Sequence, residues 1–221
     1  DDAEKVAPQL AKLVDELSTK VASVYVNEAL SAGSMDASST VVPAGAKRVA
    51  LGAYVAGEFD KPMQRCMNAD FVFFSGLKTD KLDDLRAVVD RGVVKWVFVA
   101  GNFVLALKKA DAELAGKEFS MGLAEKPENA KQPWYIERSR VEQAKQLLVD
   151  GRAKGIQFIM PVDFTLGDGT ASPTIGPEQQ QFDVGPATSE HFAAAIGRYI
   201  DEVKKRPAGS PPPAAFYNGV L

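Results

Sequence analysis

Cysteine and histidine are nearly absent from this chain, with one of each, Cys66 and His191, in 221 residues. A lone cysteine excludes an internal disulfide framework, and no Cys/His cluster has the spacing of zinc ligands. A lone histidine leaves no evident Ser-His-Asp or Cys-His pairing for nucleophilic catalysis. His191 is read instead as a residue that caps or lines a helix. Excess positive charge is lacking as well. The formal net charge is −3 and no Lys/Arg-rich run stands out, so there is no basic field for nucleic acid. No apolar run approaches the roughly 20 residues that span a bilayer, and no signal peptide is visible. The chain starts at Asp1 rather than Met. That leaves residence open between an organelle (the mitochondrion, after removal of a targeting segment) and the cytoplasm.

What is present is an ordinary globular composition, 46% hydrophobic and 25% charged, enough for one large domain or one domain plus a fragment. Val6, Leu10, Leu13, Val14 and Leu17 fall at helical spacing over residues 4–18. Val21–Asn27 reads as a strand. Residues 45–59 carry a mixed helical pattern diluted by Gly52 and Gly57, and are read as helix. From there apolar strands alternate with helices. Strands are expected at Phe71–Phe74, Val94–Val99 and Ile156–Met160. Helices are expected near Asp80–Arg91, Asn102–Leu114, Val141–Arg152 and Ser189–Val203, with Ser189 as the last helix's N-cap. Continuous apolar strands alternating with helices predict an α/β fold, a doubly wound parallel sheet covered by helices on both faces. Leu123–Pro133 reads as a surface loop. Lys204–Ala214, with Pro207, Pro211, Pro212 and Pro213, reads as a connector or as a partner-docking segment.

Five short motifs then carry a resemblance. Tyr25-Val26-Asn27-Glu28-Ala29-Leu30, running on to Ala37-Ser38-Ser39-Thr40, is similar to Y-V-N-D-A-F-G-T-A-H-R-A-H-A-S-T of the phosphoglycerate kinase family. Ser75-Gly76-Leu77-Lys78-Thr79-Asp80-Lys81 resembles that family's G-G-A-K-V-S-D-K, one residue shorter. Pro161-Val162-Asp163 matches P-V-D, Asp183-Val184-Gly185-Pro186 matches D-I-G-P, and Phe216-Tyr217-Asn218-Gly219 is similar to V-W-N-G. All five occur in the family's order at near-family spacing. The resemblance implies a remnant of the N-terminal lobe over 1–43, a connecting helix over 44–62, and a nucleotide-binding-like α/β domain over 63–221. It reaches neither the early N-lobe strands, with their arginine, nor the family's G-G-G-D-T segment.

The resemblance also implies where chemistry would sit. Lys78 and Lys81 stand where the family's lysines contact phosphate, at a strand-to-helix turn of the kind that suits an anion. Gly101 falls in the counterpart of the glycine-rich adenine site, where Val99 and Ala100 replace glycines. Asn218 stands where the family contacts a nucleotide, and is read either as such a contact or as a residue that holds the turn. Against these, Ser34, Met35 and Ala37 occupy the positions of the two histidines and the arginine that hold phosphoglycerate, and Ala187 replaces a lysine. Asp163 and Asp183 lie at strand ends, a weak pattern for a cation. Phosphoryl transfer depends on convergent cations and helix termini. The expectation is therefore a catalytically inactive relative, with no catalytic residue, no metal and no resident cofactor, serving as a subunit of a larger protein assembly. Two alternatives stand beside it. One is a non-catalytic module with residual Mg-ADP or Mg-ATP binding. The other is a working kinase whose missing segments come from elsewhere.

Overall fold

The computed structural model describes residues 3–28, 46, 48–60, 62–78 and 80–219. The chain divides into two compact units, Asp1–Arg65 and Cys66–Leu221.

The first unit begins with helix α1 (Ala3–Glu16), which loosens into one π-type turn over Leu17–Val21. The turn closes through the Ala22 N–H on the Leu17 carbonyl. The hydroxyls of Ser18 and Thr19 both donate to the Asp15 carbonyl, the competition that disfavours these residues inside helices. Strand β1 (Val24–Asn27) then pairs in parallel with β2 (Arg48–Leu51). Helix α2 (Ala53–Asp60) follows Gly52. A Cβ at Gly52 would fall 1.9 Å from Glu28 Cδ, and Glu28 Oε2 accepts the Val55 N–H at 3.3 Å near the start of α2. The single helix expected over 44–62 is thus replaced by a strand, a glycine break and two short helices, α2 and α3 (Pro62–Met67). The apolar Val49 and Leu51 follow strand periodicity up to Gly52, and Pro62 suits a helix's first turn because it has no N–H to leave unpaired.

The second unit is built on a four-stranded sheet. Its strands are β3 (Phe71–Phe74), β4 (Trp96–Val99), β5 (Gln157–Ile159) and β9 (Ala215–Asn218). Their order is β5-β4-β3-β9, and every pairing is parallel. Side chains alternate across the pleat. Val72, Phe74, Val97 and Val99 therefore pack with Leu82, Leu85, Val104, Leu107, Ala144 and Leu147 of α4 (Lys81–Arg91), α5 (Val104–Leu114) and α6 (Arg138–Ala153). Phe71, Trp96, Phe98 and Ile159 face the other way, onto Phe192, Ala195 and Tyr199 of α7 (Pro186–Lys204). Ring centroids lie 4.7 Å apart for Phe71–Phe98 and 5.5 Å for Phe98–Phe192, pairs worth about 0.5–1.5 kcal/mol each beyond area burial. This is the doubly wound sheet with helices on both faces that the strand–helix alternation predicts.

Between β5 and α7 lies a small antiparallel sheet outside the sequence expectation: β6 (Phe164–Leu166), β7 (Ala171–Ser172) and β8 (Gln181–Val184), in the order β7-β6-β8. Gly167-Asp168-Gly169-Thr170 turns the first hairpin. Gly169 has φ +81°, and Asp168 Oδ1 accepts from the Thr170 N–H and hydroxyl. Helix α7 starts at Pro186 rather than at Ser189. Proline fits the first helical position, and the role assigned to Ser189 is taken by a residue from another element, Asp163. The 123–133 loop folds as two short 3₁₀ turns, Gly122–Glu125 and Pro127–Asn129, with Ala124 buried.

Candidate functional site at the switch point of the sheet

The chain steps outward from β3 to β4 to β5, then returns through α7 to place β9 on the opposite side of β3. Open α/β sheets bind ligands at the carboxyl ends of the strands where the order reverses. Here that place is the rim formed by Ser75-Gly76, Gly101-Asn102 and Asn218-Gly219.

Glycines let the three rim segments touch. Gly101 has φ +73°, and a Cβ there would lie 2.4 Å from the Gly76 carbonyl oxygen. Gly219 has φ +117°, and a Cβ there would lie 1.8 Å from the Ser75 carbonyl oxygen. Only glycine meets both demands, the left-handed backbone and the missing side chain. Hydrogen bonds finish the closure. The Asn102 N–H donates to the Gly76 carbonyl, the Ser75 N–H to the Asn218 carbonyl, and Asn102 Nδ2 to the Trp134 carbonyl at 2.9 Å.

Lys81, in the first turn of α4, donates from Nζ to Asn218 Oδ1 at 2.5 Å and lies 3.6 Å from Asp84 Oδ2. Two of the expected site residues, Lys81 and Asn218, thus meet across the switch point. Lys78 is exposed on the turn just before, and the Lys81 N–H reaches its carbonyl at 3.4 Å. Gly101 sits on the same rim as a backbone contact. Val99 and Ala100 are buried in the two opposite cores, Val99 under α4–α6 and Ala100 beside α7. Thr79 lies outside the described residues, as do Ser34, Met35 and Ala37.

Asp163 is a structural carboxylate. Its oxygens accept the Ala187 N–H at 3.1 Å, the Thr188 N–H at 2.7 Å and the Thr188 hydroxyl at 2.6 Å, so it caps α7 from outside the helix. Burial alone would raise its pKa. The bonds from Thr188 and Ala187 outweigh that and hold it below the usual carboxylate range. Asp183 is exposed and accepts the Val184 N–H. Among the described residues no group of three or more His, Cys, Asp or Glu side chains could hold a metal ion. His191 is half-buried on α7, with its ring 6.2 Å from that of Phe192.

A second cluster at the opposite end of the sheet has no counterpart in the sequence reading. Asp70, just before β3, accepts from the Tyr199 hydroxyl at 3.0 Å, from Arg206 Nη2 and from the Ala214 N–H at 3.2 Å. Burial, then the bond to Asp70, pushes the Tyr199 phenol up to about 12. Elsewhere in the second unit, burial pulls the Lys108 ammonium below its ordinary value. That group donates to the Pro161 carbonyl at 2.9 Å and lies 5.7 Å from the Phe119 ring centroid. The hydrogen-bonded residues of these contacts are 53–144 positions apart, and no local sequence pattern links them.

Comparison with known proteins agrees with this geometry. The family model described as phosphoglycerate kinase matches residues 1–220. The chain is similar to the phosphoglycerate kinase of Koribacter versatilis, 25% identical over 224 residues, covering 94% of this chain and 50% of that relative. It is 28% identical over 205 residues to a Caenorhabditis elegans protein named "Probable phosphoglycerate kinase", covering 86% of this chain and 45% of the relative. The solved phosphoglycerate kinase of Coxiella burnetii shares the fold with a TM-score of 0.58 at 20% identity, covering 85% of this chain and 47% of that one. The chain spans about half the length of the relatives it matches. Its parallel sheet, its switch-point rim and the match along nearly every residue agree: the chain belongs to the phosphoglycerate kinase family.

Proposed function

We propose that this chain is a catalytically inactive member of the family that serves as a structural, accessory subunit of a larger protein assembly. The observation that carries the reading is the pair Val99 and Ala100. Where the resemblance places glycines under an adenine, these side chains fill the two cores of the sheet, and a flat base needs glycine there to approach the backbone. Ser34, Met35 and Ala37 bring no imidazole or guanidinium to a phosphoglycerate, and Ala187 brings no ammonium. Losing a single well-placed stabilising group costs on the order of 10²–10³ in rate, so several losses together remove useful catalysis. The assembly role is supported by apolar side chains left in solvent in the first unit, where Val49 and Tyr54 are 55% and 62% exposed.

A second reading, a module that binds a nucleotide or another anion without turning it over, is favoured by Lys81 and Asn218 meeting at the switch point with Lys78 exposed beside them. Three measurements separate the readings. The purified chain is expected to give no phosphoryl transfer between ATP and 3-phosphoglycerate, and turnover by the chain alone overturns inactivity. Turnover that appears only with a second polypeptide selects a kinase completed by another chain. The native particle is expected to exceed the 23.7 kDa of one chain with other subunits in fixed ratio, and a free monomer sinks the assembly role. Calorimetric heat with Mg-ADP or Mg-ATP, lost in Lys81→Ala, establishes the binding module.

A further inference from the structure

The segment between α7 and β9 is suspended from a single carboxylate. Arg206 Nη2 donates to Asp70 Oδ2, and the Ala214 N–H donates to Asp70 Oδ1 at 3.2 Å. Tyr199 holds the same Oδ1 through its hydroxyl, and the Arg206 guanidinium lies 5.9 Å from the Tyr199 ring centroid. Residues 207–213 therefore form a loop whose two ends are fixed to one point of the core. Its first half is a turn: the Ser210 N–H and hydroxyl both donate to the Pro207 carbonyl, at 3.1 and 2.7 Å, and Gly209 has φ +88°. Its second half is Pro211-Pro212-Pro213, all exposed.

Each proline fixes its own φ near −65°, and each residue before a proline is kept out of the helical region. Ser210, Pro211 and Pro212 are restricted in this way, which favours an extended polyproline turn over the run. Three residues make a full turn rising about 9 Å. None of the three prolines has an N–H, so the backbone offers only acceptors. Lys204 and Lys205 lie exposed just before the loop. Lys204 stands 3.6 Å from Asp201, and the described residues give Lys205 no ion pair.

We propose that residues 204–213 are a preorganised docking loop for a protein module with an aromatic-lined groove and an acidic rim. Such a groove packs rings against the proline faces and donates ring N–H or hydroxyl groups to the free carbonyls. The clamp at Asp70 and the three prolines remove most of the freedom that binding would otherwise have to quench. The acidic rim is complementary to Lys204 and Lys205. The inference rests on the assembly reading and names the surface through which it works.

The test uses the whole chain labelled with ¹⁵N and titrated separately with purified SH3, WW and EVH1 domains and with profilin, each to about 1 mM. At least one domain is expected to shift amides confined to 204–216. Pro211→Ala/Pro212→Ala/Pro213→Ala is expected to weaken that affinity roughly tenfold to hundredfold, because each proline restricts the free loop. Lys205→Glu, which leaves the proline run intact, is expected to weaken it with a smaller dependence on salt than the native chain shows. No shift with any of the four probes overturns the inference, as does a triple variant that binds as tightly as the native chain. A native assembly that keeps its composition in the triple variant, with no probe bound, sinks this inference and leaves the assembly reading standing. A probe bound by a chain that purifies alone does the reverse.

Discussion

Replacing Asp163 by alanine removes the external cap of α7, and the structure sets the size of the loss. The carboxylate accepts two backbone N–H groups in the first turn, those of Ala187 and Thr188, and Thr188 is fully buried. Losing an N-cap costs about 0.5–2 kcal/mol. Stranding a buried donor costs about 1–3 kcal/mol. The charge also favours the helix N-terminus. Together these give about 3 kcal/mol for Asp163→Ala, which for a chain of this size lowers Tm by roughly 6–12 °C. Asp163→Asn keeps one acceptor and is expected to lose about half as much. The sign with pH follows from the depressed pKa of Asp163. Its stabilisation is fully present above the unfolded carboxyl pKa of about 3.9 and is lost as pH falls through the lower folded value. Native chain and Asp163→Asn should therefore differ by a constant amount near neutrality and converge in acid. Urea titration followed by tryptophan fluorescence reads the second unit alone, because both tryptophans, Trp96 and Trp134, lie in it. A loss below about 0.5 kcal/mol for Asp163→Ala, or a gap to Asp163→Asn that widens in acid, refutes the capping argument.

Other outcomes follow from the same contacts. Tyr199, with its phenol pushed up to about 12, stabilises the fold fully below the unfolded pKa of about 10 and loses that contribution as pH rises toward 12. Tyr199→Phe is expected to cost about 1 kcal/mol at neutral pH and to flatten stability between those two values, read by alkaline denaturation. Gly101→Ala places a Cβ against the Gly76 carbonyl on a left-handed backbone, and should cost about 1–3 kcal/mol in thermal melts. A variant as stable as the native chain would mean that the rim relaxes. Glu113, bound to Arg138 and Lys145, is held at about 2; NMR titration should find its midpoint well below an ordinary glutamate, and Arg138→Ala should raise it.

The sequence alone determined the periodic parts of this molecule. Strands β3, β4 and β5 are short apolar runs with no competing polar pattern. Helices α4, α5 and α6 keep one face apolar, and alternation of the two forces a parallel sheet covered on both sides. Two of the five family motifs carried the rim segments Ser75-Gly76 and Asn218-Gly219, in order along the chain. Tertiary structure decided what depended on partners distant in sequence. The β6–β8 sheet was announced by one signal, the turn at Gly167-Asp168-Gly169, because strands of two to four residues carry too few positions to show a period. Residues 48–51 became strand by pairing with β1, overriding a weak helical pattern. Helix α7 begins at Pro186 because its cap, Asp163, sits more than twenty residues upstream and reaches it through space. The meeting of Lys81 with Asn218, and of Asp70 with Tyr199, Arg206 and Ala214, likewise exists only once α7 has carried the chain across the sheet to β9. Periodicity is a property of neighbours in sequence, whereas a cap, a clamp or a site is a property of neighbours in space.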